Sequence, residues 1–212
     1  MMNEIIFGTV HSYYDLNLIL SKVNITPAFP KTVLVDIPGG DGSVDLTEAL
    51  GEVKFQDRTH EFTFTVLPTD DFEVKKRAVS NLVNGAKMKI TYTKDPNYYW
   101  LGRCSVDEYA SDRNIHQIVV KAVVAPYKYK QSVTEVTFPA GTSVQKVLTN
   151  GRKSVVPIIT TTADATIVFK GNTYQLSVES TKLLNIMFTH GENTVTVTSA
   201  QPVKFSYQEG DL

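Results

Sequence analysis

The chain has 212 residues, of which 42% are hydrophobic and 20% charged, so it is neither a disordered nor a fibrous sequence. Its 21 Lys and Arg residues nearly balance its 22 Asp and Glu residues, which argues against a partner held mainly by net charge, such as nucleic acid or an anionic membrane. Val, Ile and Thr occupy about 60 positions, and these β-branched side chains favour strands and exclude a helical bundle.

Alternating apolar and polar residues predict strands in the first part of the chain. Val33, Val35 and Ile37 share one face of a strand that ends at the turn residues 38–40, Pro-Gly-Gly. Residues 115–124 are apolar on both faces, which predicts a strand at the centre of a sheet. The same alternation predicts two further strands, at residues 62–66 and 88–92.

One segment, residues 69–84, has the spacing of a helix instead. Thr69 or Asp70 can cap its first turn, and Gly85 follows as the stop signal. A single helix among strands predicts that the first region is an α+β domain. The residues that fall on one stripe of this helix are Phe72, Val79, Leu82 and Val83.

The second part of the chain has the pattern of strands throughout. Most of the threonines lie beyond Gln131, and Gly171-Asn172 is typical of the two-residue turn of a hairpin. Tyr174 and Val178 are predicted on the same face of the strand after that turn, together with Leu176. Short strands at this spacing predict a β-sandwich. We therefore predict a mainly β protein, with an N-terminal α+β domain at residues 1–130 and a C-terminal β-sandwich at residues 131–212.

The residues that most often carry chemistry are scattered. The histidines at positions 11, 60, 116 and 190 have no ligand partner two or four positions away, so we expect packed or strand-end histidines. Cys104, the single cysteine, cannot form an internal disulfide, and a nucleophilic thiol also needs a histidine base. Its expected role is that of a small half-buried strand residue. We predict no catalytic, cofactor-binding or metal-binding residues.

The one glycine-rich loop, residues 38–45, contains Gly39, Asp41 and Asp45. It lacks the lysine of a phosphate-binding loop and the alternate-residue acid spacing of a calcium loop. It is therefore expected to be a tight connection whose glycines supply positive φ angles.

An aromatic run, Tyr98-Tyr99-Trp100, follows the turn sequence Asp-Pro-Asn at residues 95–97. Consecutive side chains of a strand alternate between faces, so one packing surface cannot take all three rings. Either another layer, such as the predicted helix, covers the second face, or aromatic side chains contact another subunit.

Residues 38–47, Pro-Gly-Gly-Asp-Gly-Ser-Val-Asp-Leu-Thr, resemble the PG-x-DG-x-x-D-L signature of bacteriophage distal tail proteins. Further matches follow in the order typical of that family and cover nearly the whole chain, with Ala125 in place of the Asp of the family's junction motif. Each of these motifs alone is weak evidence, but their occurrence in the same order as in the family is specific. The further matches lie at residues 55–58, 62–64, a helix ending near Gly85, 95–99, 102–103, 125–129, 150–151, 157–159, 191–193 and 207–212.

The resemblance implies a structural virion protein of phages with long, non-contractile tails. In that family the first domain forms a hexameric ring whose lumen continues the tail tube and lets DNA pass, and the second is a galectin-like β-sandwich. The implied partners are further copies of the chain in a homohexamer, the major tail tube protein, the tail-tip or tail-associated protein and, in some phages, receptor-binding proteins. The formal charge of −1 is compatible with a channel that DNA must leave.

The same resemblance implies the tail tip of the virion as the location, after assembly in the cytoplasm of the bacterial host. It implies neither a cofactor nor stable binding to nucleic acid or to a membrane. The oligomer-interface residues that we predict are Gly39, Asp41, Asp45, Tyr98, Tyr99 and Trp100.

Two other function classes remain open from the residues alone. A cell-wall or carbohydrate-binding module needs an exposed aromatic platform, and no Trp occurs after Gln131. A hydrolase on a β-scaffold needs a pair of carboxylates in a cleft, or Cys104 beside His116 or His60. The resemblance favours a ring-forming assembly protein that has no catalytic activity and no host-glycan binding of its own.

Overall fold

The computed structural model describes residues 3–49, 51–68, 70–112 and 115–212. The chain forms two compact units, Met1–Pro126 and Tyr127–Leu212, and each has its own hydrophobic core. Nearly every element is a strand, and one helix occurs among the described residues, which confirms the predicted mainly β fold. That helix is too short and too polar to cross a membrane, and the described residues contain no other candidate.

The first unit combines one large sheet with one helix and a small separate hairpin. Its elements are β1 (Ile5–Phe7), β2 (Val10–His11), β3 (Leu18–Ile25), β4 (Leu34–Asp36), β5 (Ser43–Asp45), β6 (Arg58–Val66), α1 (Phe72–Val83), β7 (Lys87–Tyr92), β8 (Tyr98–Asp112) and β9 (Ile115–Val124). Seven strands form one antiparallel sheet in the order β2-β1-β7-β8-β9-β6-β3. β9 lies between β8 and β6, as its two apolar faces predict.

One face of the seven-stranded sheet carries the core of the first unit. Phe62 and Phe64 of β6 and Ile118 of β9 are fully buried there. The helix α1 packs on the same face, because Val79 and Val83 belong to the same cluster. Complete burial of an aliphatic or aromatic side chain stabilises a fold by roughly 1.5–3 kcal/mol, so this stripe is what holds α1 in place.

The helix is capped one or two residues later than predicted. It spans Phe72–Val83, and its N-cap is Asp71, whose carboxylate accepts hydrogen bonds from two backbone N–H groups of the first turn at 2.9 and 3.2 Å. Thr69, one predicted cap, lies outside the described residues. Asp70, the other, accepts a hydrogen bond from the side-chain amide of Asn17 at 2.9 Å. Because the Asp70 carboxylate is hydrogen-bonded to a distant segment, the next residue, Asp71, caps the helix instead.

The second unit is a β-sandwich. Its strands are β10 (Lys128–Lys130), β11 (Thr134–Phe138), β12 (Gly141–Asn150), β13 (Ile158–Thr161), β14 (Ala165–Phe169), β15 (Asn172–Leu176), β16 (Glu179–Thr181), β17 (Gly191–Ser199), β18 (Val203–Tyr207) and β19 (Gly210–Asp211). Two four-stranded sheets have the orders β11-β18-β13-β16 and β12-β17-β14-β15. Side chains from both sheets, such as Phe205 and Val195, share one buried core. β10 pairs with β19, so the start of the unit is tied to its end.

The hairpin between β14 and β15 turns one residue earlier than predicted. Phe169 pairs with Asn172, which leaves Lys170 and Gly171 as the turn residues, with φ angles of 49° and 78°. Positive φ at both central positions gives a tight turn whose twist matches that of the strands. The strand that follows ends at Leu176, so Val178, which was predicted on the same strand face as Tyr174 and Leu176, lies outside the strand and is 62% exposed.

Candidate functional site

The glycine-rich loop of the first unit is the tip of a two-stranded ribbon. β4 and β5 pair antiparallel, with Leu34 opposite Asp45 and Val35 opposite Val44. We call residues 33–46 the ribbon. β4 and β5 form a sheet of their own, separate from the seven-stranded sheet. An isolated pair of strands is only marginally stable in water, so the ribbon depends on local hydrogen bonds and on whatever packs against it.

Hydrogen bonds at the base hold the ribbon together. The hydroxyl of Thr47 accepts from the backbone N–H of Val33 at 3.0 Å, and the backbone N–H of Leu46 donates to the carbonyl of Val33 at 2.8 Å. The carboxylate of Asp45 accepts from the backbone N–H of Thr47 at 2.8 Å. Hydrogen bonds from Thr47, the hydroxyl first and the backbone N–H second, lower the pKa of Asp45. Asp45 therefore fixes the conformation of the ribbon base.

One face of the ribbon is apolar and exposed. The five aliphatic side chains of this face are between 42% and 54% exposed. An exposed apolar surface of this kind is a candidate contact with another macromolecule. The opposite face carries Asp36, Ser43 and Asp45 together with Leu34, which is 60% exposed, so that face is mainly polar. The apolar ribbon face consists of Val33, Val35, Ile37, Val44 and Leu46.

Gly39 and Asp41 lie at the tip of the ribbon, and both are exposed. The tip turns sharply because the backbone N–H of Gly40 donates to the carbonyl of Ile37 at 3.0 Å. Gly39 has φ 80°, a left-handed conformation in which a side chain would be strained. The structure thus brings three of the predicted interface residues, Gly39, Asp41 and Asp45, onto one element.

The predicted aromatic residues lie on a different element, β8, and alternate between its two faces. Trp100 is 5% exposed and belongs to the core, where its ring centroid is 4.8 Å from that of His60. Tyr99 is 9% exposed, and Nζ of Lys89 lies 4.4 Å from its ring centroid. Tyr98 is half-buried. The ring of Trp100 packs within its own unit, and a part of Trp100 in an interface stays a prediction.

His60, His116 and Cys104 pack against other side chains of the first unit. His60 is fully buried, which confirms a packed histidine, and burial first and Arg58 second lower its pKa to about 4. His116 stacks on Phe72 with ring centroids 4.6 Å apart. Cys104 is fully buried rather than half-buried, and burial raises the pKa of its thiol to about 12. A thiol with that pKa stays protonated near neutrality, so Cys104 is not poised as a nucleophile.

An open groove of about 580 Å³ lies on the second unit. Its lining residues are small for the most part, and alanines and a glycine alternate with polar residues such as Thr166, Gln175 and Thr198. The hydroxyl of Thr166 donates to Gln175 Oε1 at 2.8 Å, so these polar groups bond to each other. None of the lining residues is aromatic, and the groove therefore lacks the stacking platform that the carbohydrate-binding alternative requires.

The apolar ribbon face is the feature that sequence reasoning did not identify as a site. The alternation of Val33, Val35 and Ile37 predicted a strand, but alternation does not reveal what covers the apolar face. A usable signal was the length of the strands, since β4 and β5 have three residues each. Two strands of that length around a glycine-rich turn cannot bury an apolar face by themselves.

Comparisons with known proteins give the chain a family. A family model described as the phage tail protein RIFT-related domain matches residues 6–124, more than half of the chain. The whole chain also superimposes on the whole of SPP1 Dit, with a TM-score of 0.72 and 13% sequence identity. That protein is described as a paradigm of the hub adsorption apparatus in phages that infect Gram-positive bacteria, and at this identity the likeness shows the fold. No curated protein matches the sequence. The predicted resemblance is confirmed, and the chain belongs to the phage tail proteins with a RIFT-related domain.

Proposed function

We propose that this phage tail protein is a distal tail protein whose first unit assembles into a homohexameric ring. The ring joins the major tail tube protein to the tail-tip or tail-associated protein, and DNA leaves through its lumen. The protein acts by binding its neighbours in the virion and catalyses no reaction. Family membership over residues 6–124 supports the place in the tail, and the apolar ribbon face supports the assembly.

The apolar ribbon face is the observation that carries this proposal. A closed ring of identical subunits needs two different contact surfaces on each copy, and the ribbon supplies one of them. Covering a half-exposed aliphatic side chain contributes roughly 1 kcal/mol, so the five of the ribbon contribute about 5 kcal/mol before the entropy lost on association. Six such contacts, all equivalent by symmetry, reinforce one another in a closed ring.

The predicted interface residues take different parts in this proposal. Gly39 and Asp41 at the exposed tip reach furthest toward a neighbouring copy, whereas Asp45 shapes the base. Tyr98, which is half-buried, and Tyr99, which is 9% exposed on the other face of β8, are the remaining predicted interface residues. Replacing both by Ser should reduce ring formation if they lie at the interface. Unchanged hexamers with a lowered melting temperature would assign both side chains to the interior of the protomer.

The proposal is tested by measuring the oligomeric state of the purified full chain. Size-exclusion chromatography with light scattering should give hexamers for the wild type at micromolar concentration. The double variant Val35→Ser, Val44→Ser should stay monomeric, because it makes the centre of the apolar ribbon face polar. Val168→Ser, on the outer face of β14, is the matched control and should still form hexamers. If the double variant still formed hexamers of unchanged stability, the ribbon would not be part of the interface.

A further inference from the structure

The core of the first unit contains a group of buried nitrogen atoms without hydrogen-bond partners. They are Nε and Nη2 of Arg58, Nδ1 and Nε2 of His60, and Nε1 of Trp100. The three residues are 5%, 0% and 5% exposed, respectively. They account for five of the six unpartnered buried side-chain atoms found in the part of the chain that the structure describes. We call these three side chains the donor cluster.

The strand register brings the donor cluster together. Arg58 and His60 are two positions apart on β6 and therefore point to the same face of the sheet. His60 is opposite Ala122 of β9, which is opposite Cys104 of β8, so only a methyl group lies between these two positions on this face of the sheet. Trp100 reaches across from β8, with its ring at 74° to that of His60. The neighbouring positions Ala122 and Cys104 bring no charge, because the buried thiol is protonated.

Each side chain of the donor cluster can donate hydrogen bonds. A guanidinium and an indole N–H can only donate hydrogen bonds, and at least one nitrogen of the imidazole also donates. Burial lowers the pKa of Arg58, and burial first and Arg58 second lower the pKa of His60, against a smaller opposing effect of the Thr59 backbone. Buried polar groups normally have partners, and an unpartnered donor is costly.

Another buried ionisable group of the same unit is satisfied within the chain. Glu4 is 1% exposed, and its carboxylate lies 2.8 Å from Nδ1 of His11 and accepts from the backbone N–H of Tyr13 at 3.1 Å. The fold can therefore provide internal partners for a buried charge at one end of the sheet. At the donor cluster it provides none for Nε and Nη2 of Arg58 or for Nε1 of Trp100.

We propose that Arg58, His60 and Trp100 form a binding site for an oxyanion. The guanidinium of Arg58 supplies the charge and two donors, and the indole N–H of Trp100 supplies another. Arg58 and Trp100 each keep 5% of their surface exposed, whereas His60 is fully buried. The oxyanion is a free ion such as phosphate or a carboxylate presented by a second copy of the chain, and both offer the same acceptor oxygens. The inference rests on the core of the first unit and does not require the proposed ring.

Fluorescence provides a direct test, because Trp100 is the one tryptophan of the chain. The full chain is titrated with sodium phosphate, and separately with sodium acetate, at ionic strength held constant with sodium chloride in a cationic buffer such as piperazine. We expect a saturable change in fluorescence. The half-saturating concentration should rise at least tenfold in Arg58→Gln and stay unchanged in Arg77→Gln, which removes an exposed arginine of α1. Equal responses in the two variants would overturn the proposal.

A second measurement needs no variant and decides the matter if Arg58→Gln fails to fold. The imidazole of His60 is titrated by NMR in the wild-type chain, with phosphate and with chloride alone. A bound oxyanion should increase the proton affinity of His60 at least tenfold. The same increase on self-assembly, without added oxyanion, would assign the acceptor to a carboxylate of a second copy. Identical titrations in phosphate, acetate and chloride, in both the monomer and the assembled form, would show that water satisfies these nitrogen atoms and would overturn the proposal.

Discussion

Two hairpins of this molecule share the same alternation of apolar and polar residues but differ in what covers the apolar face. In the hairpin of β14 and β15, Ile167 and Phe169 point into the core of the second unit and are 0% and 2% exposed. In the ribbon, the corresponding apolar pair, Val35 and Val44, is 45% and 42% exposed. Alternation therefore specifies a two-sided strand pair, and the surrounding structure decides whether the apolar side is interior or contact surface. In the proposed ring, a neighbouring copy covers the ribbon.

The largest effect on stability is expected in the buried hairpin. Phe169→Ala removes a ring that packs edge-on against Phe188, with centroids 5.7 Å apart, and should lower the free energy of unfolding by about 3–5 kcal/mol. Urea unfolding followed by circular dichroism measures this loss. If Phe169→Ala lowered the free energy of unfolding by less than Val35→Ala in the ribbon, the proposed difference between the two hairpins would be wrong.

A second expectation concerns a difference between the two cores, because only that of the first unit, among the described residues, buries a histidine. The pKa of His60 is about 4 in the folded chain and 6.5 in the reference state, so between these pH values the unfolded chain binds a proton that the folded chain does not. Stability should therefore fall as the pH decreases from 6.5 toward 4, by about 3 kcal/mol in total.

Chemical unfolding at several pH values in cationic buffers measures this slope. The variant His60→Gln should lose most of the slope between pH 6.5 and 4, since it removes the titrating group. An equal slope in the variant and the wild type would assign the acid sensitivity to another group. Added phosphate should flatten the wild-type slope if the donor cluster binds an oxyanion, because a bound anion raises the pKa of His60.

A smaller effect is expected at the start of α1. Asp71→Ala removes the carboxylate that accepts from two N–H groups of the first turn and should cost about 1 kcal/mol of stability. Asp71→Ser keeps a capping oxygen and should recover most of the loss. The thermal unfolding midpoint of the first unit reports both changes. No loss in Asp71→Ala would show that α1 is held by Val79 and Val83 alone.

The smallest effect on stability is expected in the ribbon. Val35→Ser with Val44→Ser should change the free energy of monomer unfolding by no more than about 0.5 kcal/mol, because both side chains are already half-exposed. Urea unfolding at concentrations below the assembly threshold measures this value. A large loss would mean that the ribbon is covered within its own protomer, and the contrast between the two hairpins would disappear.

Local patterns predicted the parts of the fold that local physics determines. The central strand β9 and the buried stripe of α1 follow from periodicity alone. The start of the helix did not, because Asp70 bonds to Asn17, a contact between distant segments. The turn at Lys170-Gly171 was displaced because strand register is set by pairing along the whole hairpin.

The candidate sites were predictable only in part, for the same reason. The glycine-rich tip with Gly39 and Asp41 stands out in the sequence, whereas the exposure of the apolar ribbon face depends on what the other strands leave uncovered. The donor cluster has no sequence signature. Trp100 and His60 lie on strands separated by β9, and only the assembled sheet brings their rings together.

The central claim is that the apolar ribbon face is a contact surface between neighbouring subunits of a ring. Negative-stain electron microscopy of the purified full chain at tens of micromolar tests it most directly. The account predicts six-fold rings with an open centre for the wild type, and their loss in Val35→Ser with Val44→Ser. Single particles of one-protomer size, with no ring even after the tail-tip partner is added, would contradict it.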